Sequence, residues 1–153
     1  MKKFLLILFL IPWSLFLMTG CGENSQATPA EVKEAVPVKN SVTIQINGKN
    51  FSATLEDNPT AKKFAEMFPL ECDMTELNGN EKYFYLDEDL PNAAVNVKQI
   101  HAGDLMLFGS NCVVLFYKDF TTGYSYTRLG KLDNPTDLEK ILGAGNVHVK
   151  FTE

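Results

Sequence analysis

Val42, Ile44 and Ile46 alternate with Thr43, Gln45 and Asn47, and Phe51, Ala53 and Leu55 resume the pattern after Asn47-Gly48. A period of two puts the apolar set on one face of a strand, and Asn-Gly is a tight hairpin pair. Residues 42–55 are therefore predicted to form a β-hairpin. The period then changes. Phe64, Ala65 and Phe68 recur at helical spacing, with Ala61 one turn earlier. Asn58 can cap the first turn, Pro59 suits the first helical position, and Lys62 pairs with Glu66 at i,i+4. The spacing predicts a helix over 59–67, stopped before Pro69, with Phe64 and Phe68 in the core. Leu70, Cys72 and Met74 alternate with Glu71, Asp73 and Thr75 as a half-buried strand. A turn at Asn78-Gly79 leads to a strand over 82–86, and residues 87–92 read as an acidic, proline-containing loop. The unbroken apolar runs 105–108 and 112–117, joined by Gly109-Ser110-Asn111, read as central strands. A loop at 121–125 precedes a strand over 126–132. Asp133-Asn134-Pro135-Thr136 then repeats Asp57-Asn58-Pro59-Thr60. It predicts a second short helix over 136–142, with Thr136 and Glu139 spaced for a capping box and Gly143 as the stop. Val147, Val149 and Phe151 alternate as the closing strand.

Residues 41–153 thus hold about eight strands and two short helices. This is a mainly β domain. Short connections favour antiparallel order, and closure into a barrel removes exposed strand edges. The expected architecture is a closed antiparallel barrel with the helices over its open ends.

The first forty residues follow neither period. Met1-Lys2-Lys3 precedes an apolar run, Phe4 to Met18, interrupted only by Pro12 and Ser14. The run is short of the roughly twenty residues of a membrane span, and its flanks are those of a secretory signal. An N-terminal anchor helix and simple cleavage leaving Cys21 a free thiol are two readings. The third rests on Met18-Thr19-Gly20-Cys21, which resembles the lipobox of bacterial lipoproteins, where the cysteine is acylated and becomes the mature N-terminus. On that resemblance residues 1–20 are a lipoprotein signal peptide, Cys21 is the lipidation site and residues 21–40 are a polar tether. Two or three lipid chains hold a protein firmly. The domain is then membrane-anchored by lipid on the periplasmic or extracellular face of a bacterial envelope.

Charge narrows the partners. Nineteen acids against fourteen bases give a net charge of −5, with no basic block. Phosphate contact needs clustered Lys and Arg, so nucleic acid is an unsuitable partner. The length, 153 residues, is that of one domain, which excludes a multidomain enzyme.

A longer pattern spans the domain. Val42-Thr43-Ile44, Phe51-Ser52-Ala53-Thr54-Leu55 and Asp57-Asn58-Pro59-Thr60-Ala61 open it, followed by Ala65 and Phe68-Pro69-Leu70. Gly103-Asp104-Leu105, Phe116-Tyr117 and Leu129-Gly130-Lys131-Leu132 come later. Over residues 42–152 this series resembles the small bacterial cyclophilin-like family. The resemblance implies a reduced cyclophilin barrel, in a family whose members mostly have no assigned function. True cyclophilins are prolyl cis/trans isomerases marked by a Phe-His-Arg stretch and a later Gln-Gly-Gly-Asp. Neither occurs here, so their catalytic arginine does not carry onto Arg128 by motif.

The residues themselves give few candidates. His148 reads as a surface or barrel-end residue, and His101 lies in a loop before a central strand. No His-x-His, Cys-x-x-Cys or Cys-x-x-His spacing is present, so no metal or cofactor is expected. Asp87, Glu88 and Asp89 lack the spaced ligands and glycine turn of a calcium loop. Cys72 and Cys112 lie at core-facing positions. An oxidising compartment permits a disulfide between them, while two separate buried thiols pack as small apolar side chains. Arg128 is the one arginine in the chain. Alternation puts it on a face with Tyr126, and Tyr117 ends the neighbouring strand. A guanidinium framed by aromatics can bind a carboxylate or peptide carbonyl; a salt bridge on the barrel wall is the alternative. The candidate ligand-binding residues are Arg128, Tyr126, Tyr117 and His101. The expected function is a non-enzymatic module binding a peptide or small molecule, with weak peptidyl-prolyl isomerase activity as the alternative.

Overall fold

A computed structural model describes residues 40–153. The expected signal peptide, Cys21 and most of the expected tether lie outside the described residues. The strands are β1 (Ser41–Ile46), β2 (Lys49–Leu55), β3 (Leu70–Leu77), β4 (Glu81–Tyr85), β5 (Val95–Asn96), β6 (Gln99–Ile100), β7 (Asp104–Phe108), β8 (Cys112–Phe116), β9 (Phe120–Thr121), β10 (Ser125–Leu132) and β11 (Val147–Thr152). The helices are α1 (Pro59–Ala65) and α2 (Leu138–Leu142). Eight strands run in the order β2-β1-β11-β3-β4-β8-β7-β10, and β10 pairs back onto β2 through Gly130↔Leu55. Every pairing is antiparallel, so the sheet is a closed eight-stranded barrel.

Local chemistry explains the closure. Asn47 and Gly48 both have positive φ, 46° and 81°, which matches the right-handed twist of the β1–β2 hairpin. Asn58 accepts a 2.8 Å bond from the Ala61 N–H and donates 2.8 Å to the Arg128 carbonyl. One side chain therefore caps α1 and ties it to β10. Pairing between β10 and β7 slips between Arg128 and Gly130. A Cβ on Gly130 would sit 2.5 Å from the Thr54 carbonyl oxygen, so the seam between β10 and β2 requires glycine. Phe64 of α1 is fully buried, edge-on to Phe68 at 5.1 Å and to Phe151 at 5.3 Å. The helix thus plugs the barrel with rings.

Inward residues form the main core, among them Ile44, Leu55, Met74, Phe84, Leu107, Leu115, Leu129 and Phe151. A second cluster lies on the opposite face of the wall. It comprises Ile100, Met106, Cys112, Val114, Phe116 and Tyr126, with Tyr83, Val97 and Phe120 partly buried against it. The β6–β9 ladder contributes Ile100 and Phe120 to this cluster. Residues 93–102 carry no clear period in the sequence; β5 forms by pairing with Ser125 and Tyr126 of β10, and β6 by pairing with β9 as Ile100 packs into this cluster.

Three local expectations need correction. Helix α1 ends at Ala65 rather than at 67, since Glu66 already closes it as C-cap. Helix α2 begins at Leu138, and no capping box forms: the Thr136 hydroxyl bonds Asn134 Oδ1 at 2.5 Å instead of reaching the helix. Cys112 belongs to the outer cluster, whereas Cys72 packs against the inner core, and both are free thiols. The two cysteines stand on strands separated by β4 and on opposite faces of the wall, which is why no disulfide joins them.

Candidate functional site

The outer face of β4, β8 and β7 holds an open groove of about 290 Å³. Strand β4 presents Glu81, Tyr83 and Tyr85 outward, because Lys82, Phe84 and Leu86 take the inward positions. Register places Tyr83 opposite Val114 and Tyr85 opposite Cys112, and Cys112 in turn faces Phe108 of β7. Cys112 and Val114 are therefore the floor. The β4 wall and the β7 wall stand two strand spacings apart, about 10 Å. Tyr126 of β10 and Tyr124 just before it complete the second wall, with Leu77 and Asn78 at the Glu81 end. Phe108 meets Tyr124 edge-on at 6.0 Å and Tyr126 at 5.6 Å, while Tyr83 and Tyr85 meet edge-on at 5.7 Å.

This lining is unusually uncovered. Tyr85 and Tyr124 are each 65% exposed, Phe108 44% and Leu77 42%. Large apolar side chains that line one hollow and stay in water mark a binding surface more often than single exposed residues do. The hollows beside Tyr117 and Glu139 at the barrel end are larger, 520 and 460 Å³, but they are rimmed by charged surface side chains.

The groove has one acidic group and no Lys, Arg or His in its lining. Glu81 is half-buried, and its carboxylate forms no hydrogen bond or ion pair with the described residues. Burial, and then the charge of Glu76, raise its carboxyl above the ordinary value. Burial, and then the Glu81 charge, push the Tyr126 hydroxyl up to about 12. Burial also raises the Cys112 thiol, so the floor cysteine stays protonated and is a poor nucleophile.

The candidates from sequence fall at three places. Tyr126 lines the groove. Arg128 shares its outer face but lies beyond the lining, 4.0 Å from Asp104 Oδ2. The same Asp104 oxygen accepts the His101 N–H at 2.9 Å, and the His101 imidazole lies 3.6 Å from Asp119. Arg128 and His101 therefore meet only through Asp104, in a brace at the start of β7. Tyr117 is on the other side of the wall. It continues the inward set of Val113 and Leu115, and its hydroxyl lies 2.9 Å from both Glu76 oxygens. The expected framing of Arg128 by Tyr117 is thus not formed. The cation–π contacts among the described residues involve lysines: Lys49 over Phe51, and Lys82 and Lys118 over Tyr117. Among the described residues no three His, Cys, Asp or Glu side chains gather as metal ligands do.

Two features escaped the sequence reading. One is the groove, whose walls come from strands distant in the chain. The alternation Tyr83-x-Tyr85 around an inward Phe84 was its only local signal. The other is Lys82, fully buried inside the barrel. Its ammonium pairs with Glu76 and donates to the carbonyls of Gly143 (2.9 Å) and Gly145 (2.6 Å). Burial pushes the Glu76 carboxyl up, but hydrogen bonds from Lys82, Tyr117 and the Gly79 N–H outweigh it and leave the carboxyl below its ordinary value. With all three donors engaged, Lys82 is a tie between β4 and the loop before β11 rather than a reactive amine.

A closed antiparallel barrel with a groove on its outer wall defines a class of small β-barrel domain. The cyclophilin-like family profile matches residues 44–152, and the chain belongs to that family. The solution structure of a hypothetical protein from Archaeoglobus fulgidus is similar, with a TM-score of 0.57 at 16% identity over 75% of this chain and 95% of that one. At that identity the likeness concerns the fold alone. No curated protein matches the sequence.

Proposed function

We propose that this protein is a non-enzymatic binding module that takes a small molecule or peptide in the outer aromatic groove and is held at a membrane by lipid on Cys21. The observation that carries the binding reading is the groove itself: four tyrosines and Phe108 converge on one hollow while two of those rings stay largely in water. Membership in the cyclophilin-like family supports a stable barrel that presents a variable surface, and a shared fold does not transfer an activity. Isomerisation needs a donor that weakens amide resonance across a barrier near 20 kcal/mol. The groove lining offers no guanidinium, and Arg128 is engaged toward Asp104. The anchor reading is supported by the apolar run ending in Thr19-Gly20-Cys21.

Two measurements test this. Full-length protein assayed with a protease-coupled proline peptide is expected to show no rate above background. Turnover lost in Arg128→Lys without unfolding would establish the isomerase instead. Cells fed a clickable fatty acid are expected to label the wild type and not Cys21→Ser; equal labelling of both would refute the anchor.

A further inference from the structure

The groove carries an electrostatic signature as well as a shape. Its lining contains one carboxylate, Glu81, and no cationic side chain. Glu81, Tyr83 and Tyr85 are successive outward positions of β4, so the carboxylate stands in line with two rings. Phe108, Tyr124 and Tyr126 face them across the floor of Cys112 and Val114. Ring faces carry negative quadrupole potential, and a cation over them gains about 0.5–2 kcal/mol, more as water is excluded. A half-buried carboxylate without a partner attracts positive charge for the same reason that it holds its proton more tightly. Both effects select the same ligand chemistry. Size limits it further: about 290 Å³ is at the lower bound of small-molecule sites, enough for a compact head group. The sheet is closed, so a peptide cannot dock by adding a strand at this wall.

We infer that the groove is a site for a small organic cation, an alkylammonium or quaternary ammonium head seated between the tyrosine walls with Glu81 as its counter-charge. The inference rests on the groove being the binding site and names the class of molecule it takes. The rings contact the alkyl groups around nitrogen, and Glu81 neutralises the charge without needing a directional hydrogen bond. A neutral molecule of identical shape keeps the apolar contact and loses both electrostatic contributions.

The five tyrosines provide the readout, since four line the groove and Tyr117 lies inside the barrel. Full-length protein with ring-labelled tyrosine, in detergent micelles, is titrated with choline and separately with 3,3-dimethyl-1-butanol, its neutral isostere. Choline is expected to shift the four groove resonances saturably and leave Tyr117 in place. The isostere should bind at least tenfold more weakly. Glu81→Gln should weaken choline at least fivefold and reduce the preference to what the rings alone supply, and Tyr124→Ala, in an exposed loop position, should weaken it without altering the melt. Equal binding of the isostere would overturn the charge assignment and leave the groove as an apolar site. No shift of the groove tyrosines by either compound at millimolar concentration would overturn both this inference and the groove as the binding site. Shifts produced by the tripeptide Gly-Lys-Gly but not by choline would overturn the small-molecule assignment. Shifts that follow protein concentration alone would assign the groove to a second copy of the chain.

Discussion

The wall formed by β4, β8 and β7 has two faces built from alternate residues of the same strands, and they have opposite fates. Inward, Phe84, Leu105, Leu107, Val113 and Leu115 are sealed against the rings of α1 and β11. Outward, Tyr85 and Phe108 keep much of their surface in water, although Tyr83 is half-buried and Val114 and Phe116 are covered. Both faces are apolar, so hydrophobicity alone does not separate a core position from a site position. Coverage does. Val97, Ile100 and Phe120 cover part of the outer face and leave the groove lined by Tyr85 and Phe108 open. The inner face stabilises the barrel, and the outer face leaves apolar rings in water.

Substitutions can break that contrast. The largest effect is expected inside: Phe64→Ala removes a fully buried ring and should lower the unfolding free energy by about 3–5 kcal/mol in denaturant titration. A loss under about 1 kcal/mol would mean the inner face is not the main source of stability. Next is the seam. Gly130→Ala drives a methyl into the Thr54 carbonyl and should cost about 1–3 kcal/mol, with loosened hydrogen-exchange protection at Leu55 and Gly130.

The interior ion pair sharpens the comparison through pH. The Glu76 carboxyl is depressed in the folded protein, so its stabilisation is complete above the unfolded value, roughly 4.3, and is lost as pH falls through the folded value. Glu76→Gln should therefore be less stable than wild type at pH 7, by about 1–3 kcal/mol. The gap between the two should close as pH drops below about 4. A gap independent of pH would show that Glu76 acts by packing rather than charge. The smallest effect on stability is expected outside. Tyr124→Ala should change the unfolding free energy by less than about 0.5 kcal/mol, because its ring is 65% exposed. A large loss there would mean that the outer rings serve the fold after all.

The two Asp-Asn-Pro-Thr segments show the limit of local reading. In the first, Asn58 caps Ala61 and bridges to β10, and a helix begins at Pro59. In the second, Asn134 binds the Thr136 amide and hydroxyl, Asp137 takes a left-handed φ of 61°, and the helix waits until Leu138. Identical tetrapeptides differ because the first has a β10 carbonyl to satisfy and the second follows a strand end held by Asp133 to Ser52 and Thr54, each at 2.6 Å.

Alternation and apolar runs along the chain determined the eight long strands, alternation gave the inward residues of β1, β2 and β11, and turn chemistry gave the hairpin at Asn47-Gly48 and the helix at Pro59, because side-chain period and turn chemistry are local properties. Closure followed from the short connections and the need to cover strand edges. Beyond the hairpins, which strands became neighbours was decided only in three dimensions, where β4 lies beside β8 and β7 beside β10 although long connections separate them in the chain. That decision moved Tyr117 inside, away from Arg128, and brought Tyr85, Cys112 and Phe108 into one row. It also buried Lys82, which the alternation of Phe84 and Leu86 already placed inward but whose partners, Glu76 and the carbonyls of Gly143 and Gly145, come from other parts of the chain. A groove made of non-local neighbours has no period of its own to read.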